Sequence, residues 1–453
     1  MSLPEIFAER MKLILKDKYC LFEKEFNNDV YRALRVNTLK CDGDILKEIF
    51  SLNEPTSFCK NSYYIPQNLQ KLGNNPLHHA GAFYMQEPSA SSVVEAIGID
   101  EGDFVLDLCA APGGKSTQAA AKLNGTGVLL SNEFVGSRVG ALVSNIERMG
   151  ISNAVVTSAR PDVLCPQLEN VFDKVIVDAP CSGEGMFRKE AAALENWSVE
   201  NVLACAERQK KILQSAADCV KPGGKIVYST CTYAFEENEG VIADFLKNHT
   251  DFHLVKPKIN FGEDAQYEFA PNVANIQYAR RIFNFNGGEG HFVAVMQRDG
   301  EADETMVEYS TKYDKKSADV LKEFNQFFKE NFIGEIPRNV QVVGDKVYIV
   351  PFDFKLTGVQ IARSGIFAGT VRNNRFVPEH ALFNNVKFTA RNVLDLTLDD
   401  DSVERFLHGE EICCDTKLKG YTEVKICGIP LGFGKASNGT LKNHYPKGLR
   451  ILK

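Results

Sequence analysis

Two cysteines, Cys181 and Cys231, follow short apolar segments that are typical of buried β-strands. The first segment reads KVIVDAPC and the second reads KIVYSTC. A structural cysteine is expected in the middle of a strand, whereas these two stand where each strand ends. Glycines follow Cys181 and the polar run EENE follows Cys231, so we expect both thiols in loops at the rim of a cleft.

Two thiols beside the carboxyl group of Asp178 are suited to chemistry on a pyrimidine base. Carbon 5 of a pyrimidine is a poor nucleophile until a group adds at carbon 6, and a thiolate adds there well. Asp178 would protonate or hydrogen-bond ring nitrogen N3, after which carbon 5 can accept a methyl group from a sulfonium donor. A base must then remove the carbon-5 proton so that the thiol can leave.

A glycine-rich turn, DLCAAPGGKST at 107–117, follows the apolar segment FVL. A Walker phosphate loop needs a glycine where Cys109 stands, so a P-loop NTPase is disfavoured. Gly113 and Gly114 would let a nucleoside ligand approach the backbone, and Glu133 at the end of the next strand is suited to pairing with ribose hydroxyls. On these residues alone, a purely structural turn with a solvated Glu133 stays open.

These motifs lie in an alternation of apolar strands and amphipathic helices that begins near Gly81. Short β-rich runs, mostly separated by helical segments, are typical of parallel strands buried on both faces. We therefore predict an α/β fold with a doubly wound sheet whose ligands bind beyond the carboxyl ends of the strands. The predicted strands are DFVLDLC, GTGVLLSNE, NAVVTSA, FDKVIVDAPC, GGKIVYSTC and GHFVAVMQR.

Composition changes along the 453 residues predict four segments. Residues 1–75 would form a small N-terminal lead-in domain and residues 76–298 the catalytic domain. Residues 299–335 read as a linker and a helix, and residues 336–453 as a β-rich region with many turn residues. A chain of this length can bury its cores without disulfides or metal ions.

The bulk composition is that of a soluble globular protein. The net charge is −7, 44% of the residues are hydrophobic, and no apolar run is long enough to cross a bilayer. The first residues read as an amphipathic helix preceded by Ser2, and not as a signal peptide. The twelve cysteines lack zinc-type Cys-x-x-Cys spacing. We expect reduced thiols, no metal and a cytoplasmic location.

With these motifs the chain resembles the NOL1/NOP2/Sun family of S-adenosylmethionine-dependent RNA cytosine-5 methyltransferases. The C-terminal PLGFGKASNGTLKNHYPKGLR is further similar to the bacterial RsmF-type 16S rRNA methyltransferases. The resemblance implies a Rossmann-like methyltransferase sheet with a small N-terminal domain and a β-rich, PUA-like C-terminal domain. Across residues 35–298 the matching stretches are RVNTLK, FYMQEPSA, DLCAAPGGKSTQ, SNE…SRV, VDAPCSGEGMFRK and YSTCTYAFEENE.

The resemblance also implies a role for each site residue. Cys231 would be the nucleophile at carbon 6, and Cys181 the thiol that assists product release. Asp178 would be the third catalytic residue, with its carboxyl group at ring nitrogen N3. DNA cytosine methyltransferases use the Pro-Cys thiol as nucleophile, which would be Cys181 here, but the Thr-Cys-Thr motif favours Cys231. S-adenosylmethionine would be held by Asp178, by Glu133 and by the turn residues Cys109, Ala110, Ala111, Pro112, Gly113, Gly114 and Lys115.

One position departs from the family pattern. An acidic residue usually follows the third strand near the adenine, but TSARPDVL places Arg160 there, with Asp162 two residues later. Neither residue is included in the predicted site. We expect Gln86, Glu87 and Ser89 of YMQEPSA to shape the cleft.

RNA contact is expected outside the catalytic sheet. From Lys417 to Lys453 there are eight Lys or Arg residues and one acid, Glu423. Basic side chains suit phosphate contact, and the interleaved aromatic residues could stack on bases or fill the core. Deletion from about residue 335 should then weaken RNA binding and spare the methyl donor. The aromatic residues are Tyr421, Phe433, His444 and Tyr445.

The expected partner is RNA, with 16S rRNA or the small ribosomal subunit as first choice, and the expected state is a monomer without membrane contact. Arg35, Asn37 and Lys40 in RVNTLK would either touch RNA or have a structural role. The same chemistry on transfer RNA or another RNA stays open. A catalytically inactive RNA-binding homologue is disfavoured, because it would need neither thiol.

Overall fold

The protein is described by a computed structural model that covers residues 3–301 and 315–451. Ser2 therefore lies outside the described residues, and the first helix begins after Pro4. The N-terminal unit combines four helices with an antiparallel sheet of order β2-β3-β1-β4. Its elements are α1 (Glu5–Leu15), α2 (Tyr19–Phe26), β1 (Ala33–Val36), α3 (Gly43–Phe50), β2 (Pro55–Thr56), β3 (Cys59–Tyr64), α4 (Pro76–His79) and β4 (Phe83–Gln86).

The middle of the chain forms a large sheet with helices on both faces. Its strands are β5 (Phe104–Asp107), β6 (Val128–Asn132), β7 (Ala154–Ser158), β8 (Phe172–Asp178), β9 (Val220–Thr230), β10 (Phe252–Leu254), β11 (Glu263–Asp264), β12 (Arg280–Ile282) and β13 (His291–Arg298). Its helices are α5 (Ser92–Ile97), α6 (Gly114–Leu123), α7 (Gly136–Arg148), α8 (Pro161–Leu164), α9 (Ala191–Glu195), α10 (Val199–Cys219) and α11 (Glu239–Asn248). The helices α5, α6 and α7 share a core with one face of the sheet, and α10 and α11 share a core with the other.

The strand order of this sheet determines where a ligand can bind. β5 pairs in parallel with β6 on one side and with β8 on the other, so the chain reverses its direction of travel across the sheet at β5. At such a switch point the connecting helices run to opposite faces of the sheet. A crevice therefore forms between them, beyond the carboxyl ends of the strands. β9 lies parallel to β8, and β13 runs antiparallel beside β9. The predicted α/β doubly wound fold is confirmed.

The C-terminal part is β-rich, as predicted. It contains a four-stranded sheet of order β15-β16-β18-β19 and a five-stranded sheet of order β21-β23-β24-β25-β22. Its helices are α12 (Lys315–Asn331), α13 (His380–Asn384) and α14 (Asp401–His408). Its strands are β14 (Phe332–Ile333), β15 (Val340–Val343), β16 (Lys346–Ile349), β17 (Gln360–Ser364), β18 (Ile366–Arg372), β19 (Arg375–Pro378), β20 (Thr389–Ala390), β21 (Val393–Leu396), β22 (Ile412–Cys413), β23 (Gly420–Ile426), β24 (Ile429–Ser437) and β25 (Thr440–Asn443).

The C-terminal part is joined to the rest of the chain by a strand and by a shared core. β17 pairs antiparallel with β7 and becomes the edge of the large sheet. Leu34 and Phe83 of the N-terminal unit pack in one cluster with Phe406 and Leu431 of the C-terminal part. Deletion from about residue 335 would therefore also remove a sheet strand and open this core. Substitutions on the surface are the sharper test of RNA binding.

The basic and polar residues of RVNTLK are internal. Arg35, Asn37 and Lys40 are only 2%, 1% and 8% exposed. The ammonium group of Lys40 donates hydrogen bonds to Ala80 O and Asn384 Oδ1, both at 2.8 Å, and so connects the N-terminal unit to α13. Their role is structural, and the alternative of an RNA contact is wrong.

Over residues 3–301 and 315–451, no helix has the length and apolar character needed to span a membrane.

Candidate active site

A cavity of about 1250 Å³ opens at the carboxyl ends of β5, β6, β8 and β9. Of the predicted site residues, Cys109, Ala111, Pro112, Lys115, Glu133, Asp178, Cys181 and Cys231 line it. Ala110, Gly113 and Gly114 lie behind this lining, where they form the backbone of the turn. The fold therefore brings residues from four strand ends, up to 122 positions apart in the chain, to one cleft.

The glycine-rich turn leads from β5 directly into α6. Gly113 has a φ of +112°, and a Cβ atom there would stand 3.2 Å from Leu142 Cδ1, so this position requires glycine. Arg138 and Asn145 of α7 donate to the carbonyl oxygens of Ala111 and Pro112 at 2.5 and 2.9 Å. With its carbonyls held from behind, the turn directs the N-terminal end of α6 at the cavity, where free N–H groups and a positive dipole end favour an anionic group.

The N-terminal unit holds this turn through a buried arginine. Arg35 Nη1 donates to Gly114 O at 2.8 Å, and Nη2 donates to Thr117 Oγ1 at 2.7 Å. Burial lowers the pKa of Arg35 to about 10, which leaves the guanidinium charged at neutral pH. The first turn of α6 is thus positioned by a residue from a separate sheet.

Glu133 presents a fixed carboxylate beside two exposed apolar residues. It is only 4% exposed and accepts hydrogen bonds from Val135 N at 2.8 Å and Ala111 N at 3.3 Å. Phe134 and Val135 are 58% and 44% exposed and line the cavity. They form an apolar wall suited to a flat heterocycle beside the carboxylate. Sequence reasoning missed this wall, although two apolar residues directly after a strand-ending acid were a usable signal.

Arg160 and Asp162 both line the same cavity near its mouth. Arg160 Nη2 lies 2.6 Å from Asp162 Oδ2, and both side chains are more than half exposed. The hydrogen bonds and charge of Arg160 lower the pKa of Asp162. The departure from the family pattern therefore places an exposed ion pair, and not a lone acidic residue, at this part of the cavity.

Asp178 forms a partly buried ion pair with a lysine of the glycine turn. Its Oδ2 lies 2.7 Å from Lys115 Nζ, and its Oδ1 accepts from Ser229 Oγ at 2.8 Å. Burial acts to raise the pKa of Asp178, but the charges of Lys115 and His291 and the hydrogen bonds from Lys115 and Ser229 together outweigh it and hold that pKa below its ordinary value. Burial likewise acts to lower the pKa of Lys115, and Asp178 raises it above the ordinary value. Both groups are charged at neutral pH.

The two cysteine sulfurs lie 3.2 Å apart. They meet because β8 and β9 are adjacent and parallel, with Asp178 opposite Ser229 in register, so the two following loops leave from neighbouring points. A hydrogen bond with Cys231, and after it burial, raises the pKa of Cys181 well above its ordinary value. Cys181 therefore keeps its proton, and that proton can be donated to the sulfur of Cys231.

Glu87 and His291 complete the wall of the cavity behind the thiols. His291 is the first residue of β13, and its neighbour Phe292 is paired with Thr230 at the end of β9. Ser89 Oγ lies 3.3 Å from His291 Nδ1, and Gln86 accepts a hydrogen bond from Arg35 instead of facing the cavity. Sequence reasoning missed His291, because only an antiparallel neighbour brings the start of one strand beside the end of another.

Family models cover most of the chain in four consecutive matches. The model of the 16S rRNA methyltransferase RsmB/F matches residues 94–297, and the N-terminal domain of 16S rRNA methyltransferase RsmF matches residues 3–88. The RsmF rRNA methyltransferase first C-terminal domain matches residues 326–383, and the methyltransferase RsmF PUA domain matches residues 393–451.

Curated relatives are similar over nearly their whole length. A ribosomal RNA small subunit methyltransferase F from Shewanella oneidensis is 31% identical, with 92% of this chain and 90% of that protein covered. The protein of that name from Vibrio vulnificus is 31% identical over 99% of this chain and 97% of its own. Among solved structures, a methyltransferase homolog protein from Pyrococcus horikoshii is 26% identical with a TM-score of 0.58, covering 66% of this chain and 96% of that one.

Proposed function

The chain belongs to the RsmB/F family of 16S rRNA methyltransferases, and from that membership we propose that it methylates carbon 5 of a cytosine in 16S ribosomal RNA. The observation that carries the proposal is the pair of sulfurs 3.2 Å apart at the cavity that also contains Asp178. Covalent activation of carbon 5 needs a thiolate, and its reversal needs a second proton carrier at the same atom. Simple methyl transfer to an oxygen or nitrogen atom would need neither sulfur.

The chain depends on S-adenosylmethionine as methyl donor, and the cavity fits that molecule. Glu133 can accept hydrogen bonds from ribose hydroxyls, with Phe134 and Val135 beside it for an adenine ring. The N-terminal end of α6 suits a carboxylate, and Asp178 suits an ammonium group. The bound donor supplies an electrophilic methyl group on a sulfonium centre.

Glu133→Ala should raise the Kd for S-adenosylmethionine by about 10- to 100-fold, as expected for loss of a charged, buried hydrogen-bond acceptor. Asp162→Ala removes an exposed carboxylate at the same cavity and is the matched control, with an expected change of less than about 3-fold. Isothermal titration calorimetry measures both. A larger loss for Asp162→Ala would assign the ribose or adenine contact to Asp162 and not to Glu133.

In the proposed reaction, Cys231 adds as a thiolate to carbon 6 of a flipped cytosine. The C5–C6 electron pair shifts toward N3, and the Lys115–Asp178 pair offsets the charge. Because Asp178 is ionised, the proton for N3 comes from Lys115, which already donates to Asp178 Oδ2. Carbon 5 is then nucleophilic and takes the methyl group.

Release of the product reverses the addition. A base removes the carbon-5 proton, the C5=C6 double bond forms again, and the bond from carbon 6 to the Cys231 sulfur breaks. N3 returns its proton to Lys115 as the aromatic ring is restored. Cys181 keeps its proton at neutral pH and lies 3.2 Å from that sulfur, so it can protonate the departing thiolate. The proton returns to Cys181 when Cys231 ionises for the next addition, and the base releases the carbon-5 proton to solvent.

RNA contact is proposed for a row of side chains across the C-terminal sheet, which we call the basic row: Tyr421, Lys435 and Lys442. Lys435 lies directly opposite both others in the pairing of β23, β24 and β25, so the three share one face. The Lys435 ammonium is 5.3 Å from the centre of the Tyr421 ring. Phe433 and Tyr445 are each 2% exposed, so base stacking by these two aromatic residues is excluded.

The double variant Lys435→Ala/Lys442→Ala should bind 16S rRNA about 10-fold more weakly near physiological salt. Each lysine that contacts a phosphate contributes about one unit to the slope of log Kd against log salt concentration. Filter binding at several salt concentrations measures the slope, and calorimetry should give an unchanged Kd for S-adenosylmethionine. Lys247→Ala, at an exposed position on α11, is the control. An unchanged slope in the double variant would contradict the assignment.

The reaction and its target are tested together by bisulfite sequencing of ribosomal and transfer RNA from cells with and without the protein. We expect at least one 5-methylcytosine of 16S rRNA to disappear in the deletion strain and to return with the intact gene. A loss confined to transfer RNA would make the target wrong and leave the chemistry in place. No loss in any RNA would favour the inactive RNA-binding homologue. The cytoplasmic location and the monomeric state stay predictions.

A further inference from the structure

The two loops that carry the thiols are braced against each other by buried carboxyl groups. The first loop is residues 179–187 after β8, and the second loop is residues 231–238 after β9. Glu184 of the first loop is 2% exposed, and Glu237 of the second loop is 0% exposed. A buried carboxylate needs hydrogen-bond donors, and each of these two finds donors on the opposite loop.

Glu237 holds the segment on both sides of Cys181. It accepts hydrogen bonds from Ser182 N at 3.0 Å and from Ser182 Oγ, directly after the cysteine. Its third donor is Gln209 Nε2 at 2.7 Å, and the same nitrogen lies 3.1 Å from Pro180 O, directly before the cysteine. The backbone that presents Cys181 is therefore fixed from the second loop and from α10.

Glu184 does the same for Cys231. Its Oε2 accepts from Thr232 Oγ1 and Tyr233 N, both at 2.9 Å. Beside it, Gly185 N donates to the carbonyl oxygen of Cys231 at 2.9 Å, and a Cβ atom on Gly185 would lie only 3.0 Å from that oxygen. Glycine at this position therefore allows the two loops to approach closely.

A direct contact joins the two braces. Ser182 Oγ and Thr232 Oγ1 lie 2.9 Å apart, so the residues that follow the two cysteines bond to each other as well as to a carboxyl group of the other loop. Burial raises the pKa of Glu237 to about 7 and also raises that of Glu184. The carboxyl groups of this network do not contact the two sulfurs. They fix the relative position of the two loops, and with it the position of the two sulfurs.

We propose that Glu184 and Glu237 are positioning residues with separate duties: Glu184 places Cys231 for attack on the base, and Glu237 places Cys181 for release of the product. The inference rests on the proposed function, because it assigns one carboxyl group to each covalent step. A role limited to folding would instead affect both steps alike. The division follows from the crossed contacts, since each carboxyl group bonds to residues that directly follow the cysteine of the opposite loop.

The test measures formation and breakdown of the enzyme–RNA adduct in single-turnover reactions with 16S rRNA and S-adenosylmethionine, quenched in denaturant and resolved on denaturing gels. Glu237→Gln should slow breakdown at least about 10-fold and leave formation within about 2-fold. Glu184→Gln should slow formation by at least the same factor and leave breakdown unchanged. Glutamine keeps the shape but has one acceptor oxygen and no charge. At Glu184 the N–H of Tyr233 or that of Trp197 then loses its acceptor, and at Glu237 either Ser182 Oγ must accept instead of donate or Ser182 N loses its acceptor.

Glu423→Gln is the matched control, because Glu423 is 2% exposed on β23 and burial raises its pKa to about 7 as well. It should change neither rate. If a glutamine variant fails to fold, Ser182→Ala and Thr232→Val remove one donor from Glu237 and Glu184 and should slow breakdown and formation respectively. In a double-mutant cycle, Ser182→Ala and Glu237→Gln should be less than additive.

Equal slowing of both steps by each variant, or no change in either step, would overturn the division of duties. Failure of the proposed function has a different signature: neither the parent enzyme nor its Cys181→Ala variant would form any adduct. The adduct yield of Cys181→Ala in the same gel therefore separates the two failures.

Discussion

Cys231→Ala should abolish methyl transfer, with a fall in the single-turnover rate of at least about 1,000-fold, since loss of a catalytic nucleophile usually costs that much or more. Without addition of a sulfur at carbon 6, carbon 5 of the cytosine stays too weak a nucleophile to take the methyl group. The measurement is transfer of a labelled methyl group to 16S rRNA under single-turnover conditions.

The Cys231→Ala variant should retain its fold and its affinity for S-adenosylmethionine. The side chain lost is small and only partly buried, so calorimetry should give the parent Kd for S-adenosylmethionine. Cys20→Ala, at an exposed cysteine of α2, is the matched control and should transfer methyl groups at the parent rate. Residual transfer by Cys231→Ala above about one part in 100 would exclude Cys231 as the nucleophile.

Cys181→Ala should give an enzyme that forms the covalent adduct with RNA but releases the RNA very slowly. In the parent enzyme the Cys181 thiol lies 3.2 Å from the Cys231 sulfur and keeps its proton, so it can protonate that sulfur as it departs. General acid help of this kind contributes about 100- to 10,000-fold, and multiple-turnover rates should fall by a factor in that range. A denaturing gel should show most of the enzyme joined covalently to RNA.

Comparison of the two variants on one gel assigns the roles. The double variant Cys181→Ala/Cys231→Ala should form no adduct, because the adduct of the single variant is made by Cys231. If Cys231→Ala accumulated adduct and Cys181→Ala did not, the two roles would be reversed, as in enzymes whose Pro-Cys thiol is the nucleophile. Omission of S-adenosylmethionine from the Cys181→Ala reaction further shows whether addition precedes methyl transfer.

The candidates for the reacting groups could be selected from residue types at strand ends. Parallel strands of one sheet place their carboxyl ends on one edge, so a turn after β5 and side chains after β6, β8 and β9 had to lie at the same edge. The glycines of DLCAAPGG, Glu133, Asp178 and the two cysteines could be selected in this way without coordinates. The resemblance then supplied a role for each of them.

Contacts between segments far apart in the chain needed the tertiary structure. The sulfurs of Cys181 and Cys231 are 3.2 Å apart because β8 and β9 are neighbours, and strand order is not encoded in the pattern of a single strand. The burial of Arg35 under α6 and the pairing of β17 with β7 likewise depend on how separate units pack. None of these contacts could be predicted from hydrophobic periodicity or from motifs, because both describe only residues that are close together in the sequence.

The sequence by itself thus determined the chemistry that we propose for this protein, since that proposal depends on which functional groups stand at strand ends. Tertiary structure alone decided the geometry: how close the two sulfurs lie, which carboxyl group contacts which loop, and which basic side chains are exposed. The physical reason is that backbone propensity and hydrophobic period act over a few residues. Distances and burial are decided by packing between elements that lie tens to hundreds of residues apart.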